Sequence, residues 1–158
     1  MSIPMTREGL ERLDKEIRHL STTRRREISE AIGVAREHGD LKENAEYHAA
    51  KEEQAHVEAR ISFLVNLQSN VIPMVMKDLE SEFVNFGALV TMIDDETEKE
   101  VTYRIVSEYE ADFKKSMISN TSPIGKALMG KETGDMVEVN APGGVKFFEV
   151  LKIEYPEI

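Results

Sequence analysis

Two long stretches of helical hydrophobic periodicity, separated by one glycine, restrict most severely what this chain can fold into. In the first, Leu10, Leu13, Ile17 and Leu20 draw one stripe down a helix. The stripe then steps through Arg24 to Ile28, Ile32 and Ala35, a stutter of the kind that locally unwinds a coiled coil. In the second, Ala50, Val57, Ile61, Leu64 and Val71 keep compatible spacing, with Leu67 beside them. Thr6 is the predicted N-cap of the first helix, and Pro73 ends the second. Gly39 lies where the pattern breaks, and glycine alone takes a left-handed conformation at little steric cost. The prediction is an antiparallel helical hairpin of two roughly 30-residue helices, about 45 Å long at about 1.5 Å per residue. Small residues near its distal end (Ala31, Ala35, Ala45, Ala49) would keep the tip slim enough to enter a channel. A dimerising coiled coil or a spacer has the same periodicity.

Charge and composition narrow the function. The 158 residues carry a net charge of −10, without cysteine or tryptophan. Disulfide frameworks, thiolate metal sites and cysteine nucleophiles are excluded together. Residues 1–76 hold 11 Lys/Arg against 13 Asp/Glu, and residues 77–158 hold 9 against 17. Neither half has the cationic excess that strong non-specific nucleic-acid binding needs. No apolar run has signal-peptide or membrane-span length, so a soluble, cytoplasmic protein without a membrane partner is expected.

Four carboxylates, Glu37, Asp40, Glu43 and Glu46, crowd the predicted tip. Asp40-Leu-Lys-Glu43 matches a capping box, with Asp40 as N-cap and Glu43 at N3. The same two carboxylates could instead complete a Mg²⁺ site, because Mg²⁺ is usually bound by one or two carboxylates plus substrate phosphates. They could hardly build such a site alone, so most of it would belong to a partner. Arg18, Arg25 and Arg36 share one predicted helix face, and Lys51, predicted level with Arg36, lies with Arg60 on the returning helix. That strip would guide a phosphate backbone toward the tip, or else form a solvated face of i,i+4 ion pairs. His19, His38, His48 and His56 lack metal-site spacing and read as surface or packing residues; no P-loop, GxSxG or GxGxxG sequence occurs.

Beyond a connector at residues 73–86, the chain reads as strands at 87–94, 100–107, 135–140 and 145–155. A short helix opens at Ser122-Pro123 and stops at Gly130. The fold class is α+β: an N-terminal antiparallel coiled-coil hairpin over residues 1–76 and an antiparallel sheet with one helix over residues 77–158. The second module carries no catalytic constellation and reads as a docking domain.

The tip AREHGDLKENAEYHAAKEEQ, the N-terminal IPMT, TYRIVSEYEADF, and SPIGKALMGK followed by PGG closely resemble the Gre family of bacterial transcription elongation (transcript cleavage) factors, end to end. The resemblance implies a hairpin that enters the secondary channel of bacterial RNA polymerase and an FKBP-like C-terminal domain that docks at the channel rim. It implies no enzyme in its own right, but stimulation of the polymerase's own cleavage of backtracked RNA, which rescues arrested complexes. Asp40 and Glu43 then match the acids that complete the polymerase Mg²⁺ site. Arg36 and Lys51 match the spot that contacts the RNA 3′ end, and Ser122, Pro123 and Ile124 are the expected docking residues. Relatives often carry arginine where this chain has Lys51, and lysine cannot offer a bidentate fork. No cofactor of its own and no small-molecule substrate are implied. The acidic balance matches the acidic branch of the family, for which short RNA fragments are expected. A channel-binding inhibitor of the same architecture is the alternative, and a free-standing metal-dependent nuclease is a rival that lacks ligands.

Overall fold

A computed structural model describes residues 2–39, 44–74 and 82–156. The chain divides into two units: residues 10–71 with Met1, and residues 2–9 together with 72–158.

The first unit is the helical hairpin. Its outgoing limb runs through α1 (Arg7–His19), a π-helical turn (Leu20–Arg24) and α2 (Arg25–Glu37). The π turn falls where the apolar stripe stutters. The returning limb is α3 (Ala45–Asn70), shorter than expected at 26 residues. It ends before the three-residue strand β2 (Val71–Pro73) rather than at the proline itself. Ile28 and Ile32 of α2 meet Val57 and Ile61 of α3, with Leu20, Tyr47 and Ala50 packed against them. Leu13 and Leu64 are fully buried. These are the stripe residues, so hydrophobic burial at roughly 1.5–3 kcal/mol per large side chain is what closes the hairpin. Among the described residues, no helix is long and apolar enough to cross a membrane.

The second unit holds a five-stranded sheet of order β5-β4-β3-β7-β6. Its strands are β3 (Leu89–Asp94), β4 (Glu100–Val106), β5 (Met117–Ser119), β6 (Met136–Ala141) and β7 (Gly144–Glu154). Alternation puts Val90 and Met92 of β3, Val137 and Val139 of β6, and Phe148 and Val150 of β7 on the buried face. The helix α4 (Pro123–Leu128) adds Leu128 to that core. Pairing is antiparallel except at one edge, where β5 runs parallel to β4. The chain reaches that edge through two 3₁₀ turns, Glu108–Glu110 and Phe113–Lys115. Strand β5 was not expected, because three residues show no alternation.

Two further findings revise the expected layout. Val84, read as connector, is fully buried and hydrogen-bonded at both N–H and C=O to Lys131 and Gly130. Residues 2–9 belong with the sheet unit. There β1 (Ile3–Met5) pairs with β2, and Met74 donates to the Met5 carbonyl at 2.8 Å. Thr6 caps α1 as expected, accepting from Gly9 N–H at 3.0 Å, but it is also held by buried Glu110, 104 residues away.

Candidate functional site

At the distal end of the hairpin, α2 stops with two capping bonds. His38 N–H donates to Ala35 O and Gly39 N–H to Arg36 O, each at 3.2 Å. Gly39 has φ +94, the left-handed conformation that glycine supplies after a helix. On the returning side the N-cap of α3 is Asn44, whose Oδ1 accepts from Tyr47 N–H at 3.0 Å. The capping-box expectation is therefore corrected for this helix: its cap is Asn44, not Asp40. Asn ranks with Asp as a cap. It also brings a donor that a carboxylate lacks, and Asn44 Nδ2 uses it on Ala35 O at 2.5 Å. Asp40 and Glu43 themselves lie outside the described residues.

Arg36 is exposed near the end of α2, with its guanidinium carbon 6.0 Å from the Tyr47 ring centroid. Tyr47 in turn meets the His48 ring edge at 5.7 Å. Lys51 donates to Gln54 Oε1 at 3.0 Å. Because Arg36 faces Tyr47, Lys51 sits about one turn of α3, ~6 Å, farther from the tip than expected. The two cations are thus neighbours along the hairpin rather than level with each other. Among the described residues neither is paired with a carboxylate.

The rest of the predicted basic strip is neutralised. Arg18 pairs with Asp14 at 2.9 Å and Arg60 with Glu16 at 2.9 Å. Arg25 grips Glu58 with two 2.9 Å bonds, from Nε and Nη2. That hydrogen bond holds the Glu58 carboxyl below its ordinary range and raises Arg25, with burial opposing both shifts. Such exposed pairs contribute little to stability. Arg18 makes an i,i+4 pair of the expected kind, whereas Arg25 and Arg60 are paired across the two limbs instead; Arg36 and Lys51 keep the phosphate-contact reading. All four histidines are exposed. Among the described residues no group of three or more His, Asp or Glu is placed to hold a metal ion.

In the sheet unit, Ser122 and Ile124 have structural duties. Ser122 Oγ accepts from Gly125 N–H at 3.1 Å and donates to Ser119 O at 2.7 Å, while Ile124 packs against the core. Pro123 is exposed and borders a surface hollow of about 380 Å³ with Thr121, Lys126, Ala127, Glu138 and Asn140. Of the expected docking residues, Pro123 lines this hollow. The sequence reading missed Asn44 and Glu110. Asn44 was visible as the last good capping residue before an unbroken helical run, whereas nothing local marks Glu110 as buried.

Comparison with known proteins agrees across nearly the whole chain. Residues 3–72 match the N-terminal domain of transcription elongation factors of the GreA/GreB type, and residues 79–155 match the GreA/GreB C-terminal domain. Transcription elongation factor GreA of Rickettsia bellii (strain OSU 85-389) is 52% identical over 155 residues, covering 98% of this chain and 96% of that protein. GreA of Phenylobacterium zucineum (strain HLK1) is 50% identical over 153 residues, covering 97% and 98%. Among solved structures, GreA factor homolog 1 of Thermus thermophilus is 28% identical over 98% of this chain and 99% of its own, with a TM-score of 0.45. By the match of both domain models and by identity along nearly its full length, the chain belongs to the GreA/GreB family of transcription elongation factors.

Proposed function

We propose that this elongation factor acts in trans on bacterial RNA polymerase in the cytoplasm, stimulating the polymerase's own cleavage of backtracked nascent RNA. In this reading the hairpin enters the secondary channel while the sheet unit docks outside through the Pro123 surface. The observation that carries it is the cap of α3. Asn44 fills the N-cap position, so the helix that follows Asp40 and Glu43 does not depend on Asp40 for its cap. Two hard oxygen donors fit Mg²⁺, which keeps several waters and takes only one or two carboxylates beside phosphate. When bound at the polymerase, such an ion activates water and stabilises charge on the phosphoryl oxygens. Asp40 and Glu43 would supply carboxylate oxygens to it. Arg36 and Lys51 would neutralise RNA phosphate near the 3′ end. The chain needs no cofactor or small-molecule substrate of its own.

The test is the cleavage rate of a backtracked complex against Mg²⁺ concentration, for wild type, Asp40→Asn and Glu43→Gln. Both variants should compete with wild type for polymerase and lose most stimulation, with partial recovery at high Mg²⁺. Superimposable curves for all three would show that the tip acids have no metal role. Cleavage of naked RNA by the factor alone would instead make it a nuclease.

A further inference from the structure

We propose that Asn44 is a positioning residue for the tip, and that its side chain acts as a strap between the two limbs of the hairpin. Both ends of the amide are engaged. Oδ1 accepts from Tyr47 N–H at 3.0 Å in the first turn of α3, and Nδ2 donates to Ala35 O at 2.5 Å in the last turn of α2. The two limbs are thereby tied to each other at Ala35 and Asn44, the residues that flank the sequence carrying both tip acids. The strap is not needed to end either helix. Ala35 O already accepts from His38 N–H at 3.2 Å, and Gly39 N–H reaches Arg36 O at 3.2 Å. On the other side, Ser or Asp would cap α3 as well as Asn does. What the amide adds is a separate acceptor atom and donor atom, one for each limb, where a carboxylate has no donor and a shorter hydroxyl puts both roles on one oxygen. The contact of Arg36 with Tyr47 across the same gap places a second tie immediately beside it.

This inference rests on the reading that Asp40 and Glu43 act at the polymerase's metal. Ligand carboxylates must be held within about 0.5 Å of the productive geometry. Groups that hold ligands in place typically cost about 10- to 100-fold in activity or metal affinity when lost.

The variants that separate strap from cap are Asn44→Asp, which keeps an N-cap oxygen and removes the donor, and Asn44→Ser, whose shorter side chain keeps a capping oxygen but has no second atom to reach Ala35 O. The full-length chain is titrated into a backtracked elongation complex, with wild type and Asp40→Asn in parallel. Both Asn44 variants should lower the maximal cleavage rate at saturating factor by about tenfold or more. Half-saturating concentration and thermal unfolding should stay at wild-type values. In the free wild-type chain, the Asn44 side-chain amide protons should exchange more slowly than those of a solvated asparagine. An unchanged maximal rate in either variant overturns the strap, as does a defect confined to affinity or melting, or free exchange of the amide protons. Failure of the underlying reading looks different: wild type gives no stimulation, or Asp40→Asn matches wild type, and the strap's catalytic role falls with it.

Discussion

Replacing Glu110 with alanine is expected to release the first turn of α1, and the structure allows the size of the effect to be worked out. Glu110 is 3% exposed, yet its carboxylate serves three donors. Thr6 N–H approaches Oε1 at 3.3 Å and Oε2 at 3.2 Å, Thr6 Oγ1 donates to Oε1, and Ser107 Oγ donates to Oε2 at 3.2 Å. The carboxylate also lies where a Cβ on Gly9 would be, against the backbone of the first helical turn. An unsatisfied buried donor costs about 1–3 kcal/mol. The two hydroxyls can rotate toward other partners, but the Thr6 N–H cannot. Losing an anion beside a helix N-terminus costs about 0.3–1 kcal/mol more. The expected total for Glu110→Ala is roughly 3 kcal/mol, or about a hundredfold in a local opening equilibrium. Hydrogen exchange at Gly9 N–H, which is bonded to Thr6 Oγ1, reads that opening directly. Glu110→Gln should cost less, because the retained carbonyl can accept from Thr6 while Ser107 reverses its role and accepts from the amide. A change below threefold for alanine, or a glutamine variant at least as damaged as alanine, would refute the reasoning.

Three further outcomes follow from the structure. A Cβ at Gly125 would overlap the Ser119 carbonyl, so Gly125→Ala should destroy the Ser122 cap and the near-ultraviolet dichroism of the sheet unit. Nothing lies within 4 Å of a Cβ at exposed Gly33, so Gly33→Ala should stabilise α2, by about 0.5–1 kcal/mol in thermal or denaturant unfolding. Glu58 should titrate below the ordinary glutamate range by NMR and move back up in Arg25→Gln. Because its folded pKa is depressed, its stabilising contribution is present above the unfolded value and is lost as pH falls through the folded one. An unmoved Glu58 titration would remove Arg25 as the cause.

How far the chain could be read from its sequence depended on whether each contact was local. The stripes from Leu10 to Ala35 and from Ala50 to Leu64 repeat often enough to fix two helices and their facing sides. The alternation in β3, β6 and β7, and the Ser122-Pro123 start of α4, are equally local. The cap of α3 was local too, but ambiguous. Asp40 and Asn44 are both strong capping types, and the glutamate three residues after Asp40 favoured the wrong one. Asn44 has Tyr47 at that position, so no box pattern marked it; its advantage lies in Ala35 O, across the hairpin. Strand β5 is too short to alternate and gains its register from β4. Glu110 carries the same charge as many solvated glutamates, and only the return of Thr6 from 104 residues away makes it a buried latch.

The π turn shows the opposite case, where a sequence irregularity dictates a backbone irregularity. Leu20 and Ile28 are eight residues apart, and at about 100° per residue the second would lie ~80° past alignment with the first. An unbroken α-helix would therefore carry either Leu20 or Ile28 off the seam. Between them, Arg25 N–H closes a π-type bond to Leu20 O, so each residue of the turn advances by less than an α residue. The excess rotation is absorbed there, and Leu20 packs against the same cluster as Ile28, Ile32, Val57 and Ile61. Thr22 Oγ1 donates to Arg18 O at 2.7 Å, giving that carbonyl a partner within the altered ladder. Arg24 then occupies a seam position that the stripe would otherwise give to an apolar side chain, and Glu53 meets it at 2.9 Å from α3. A slip of one residue between the limbs would part this pair and turn the Val57–Ile61 face away from Ile28 and Ile32. The stutter therefore works as a register mark. It sets which residues of the two limbs lie opposite each other, and with them the pairing of Asn44 with Ala35 O.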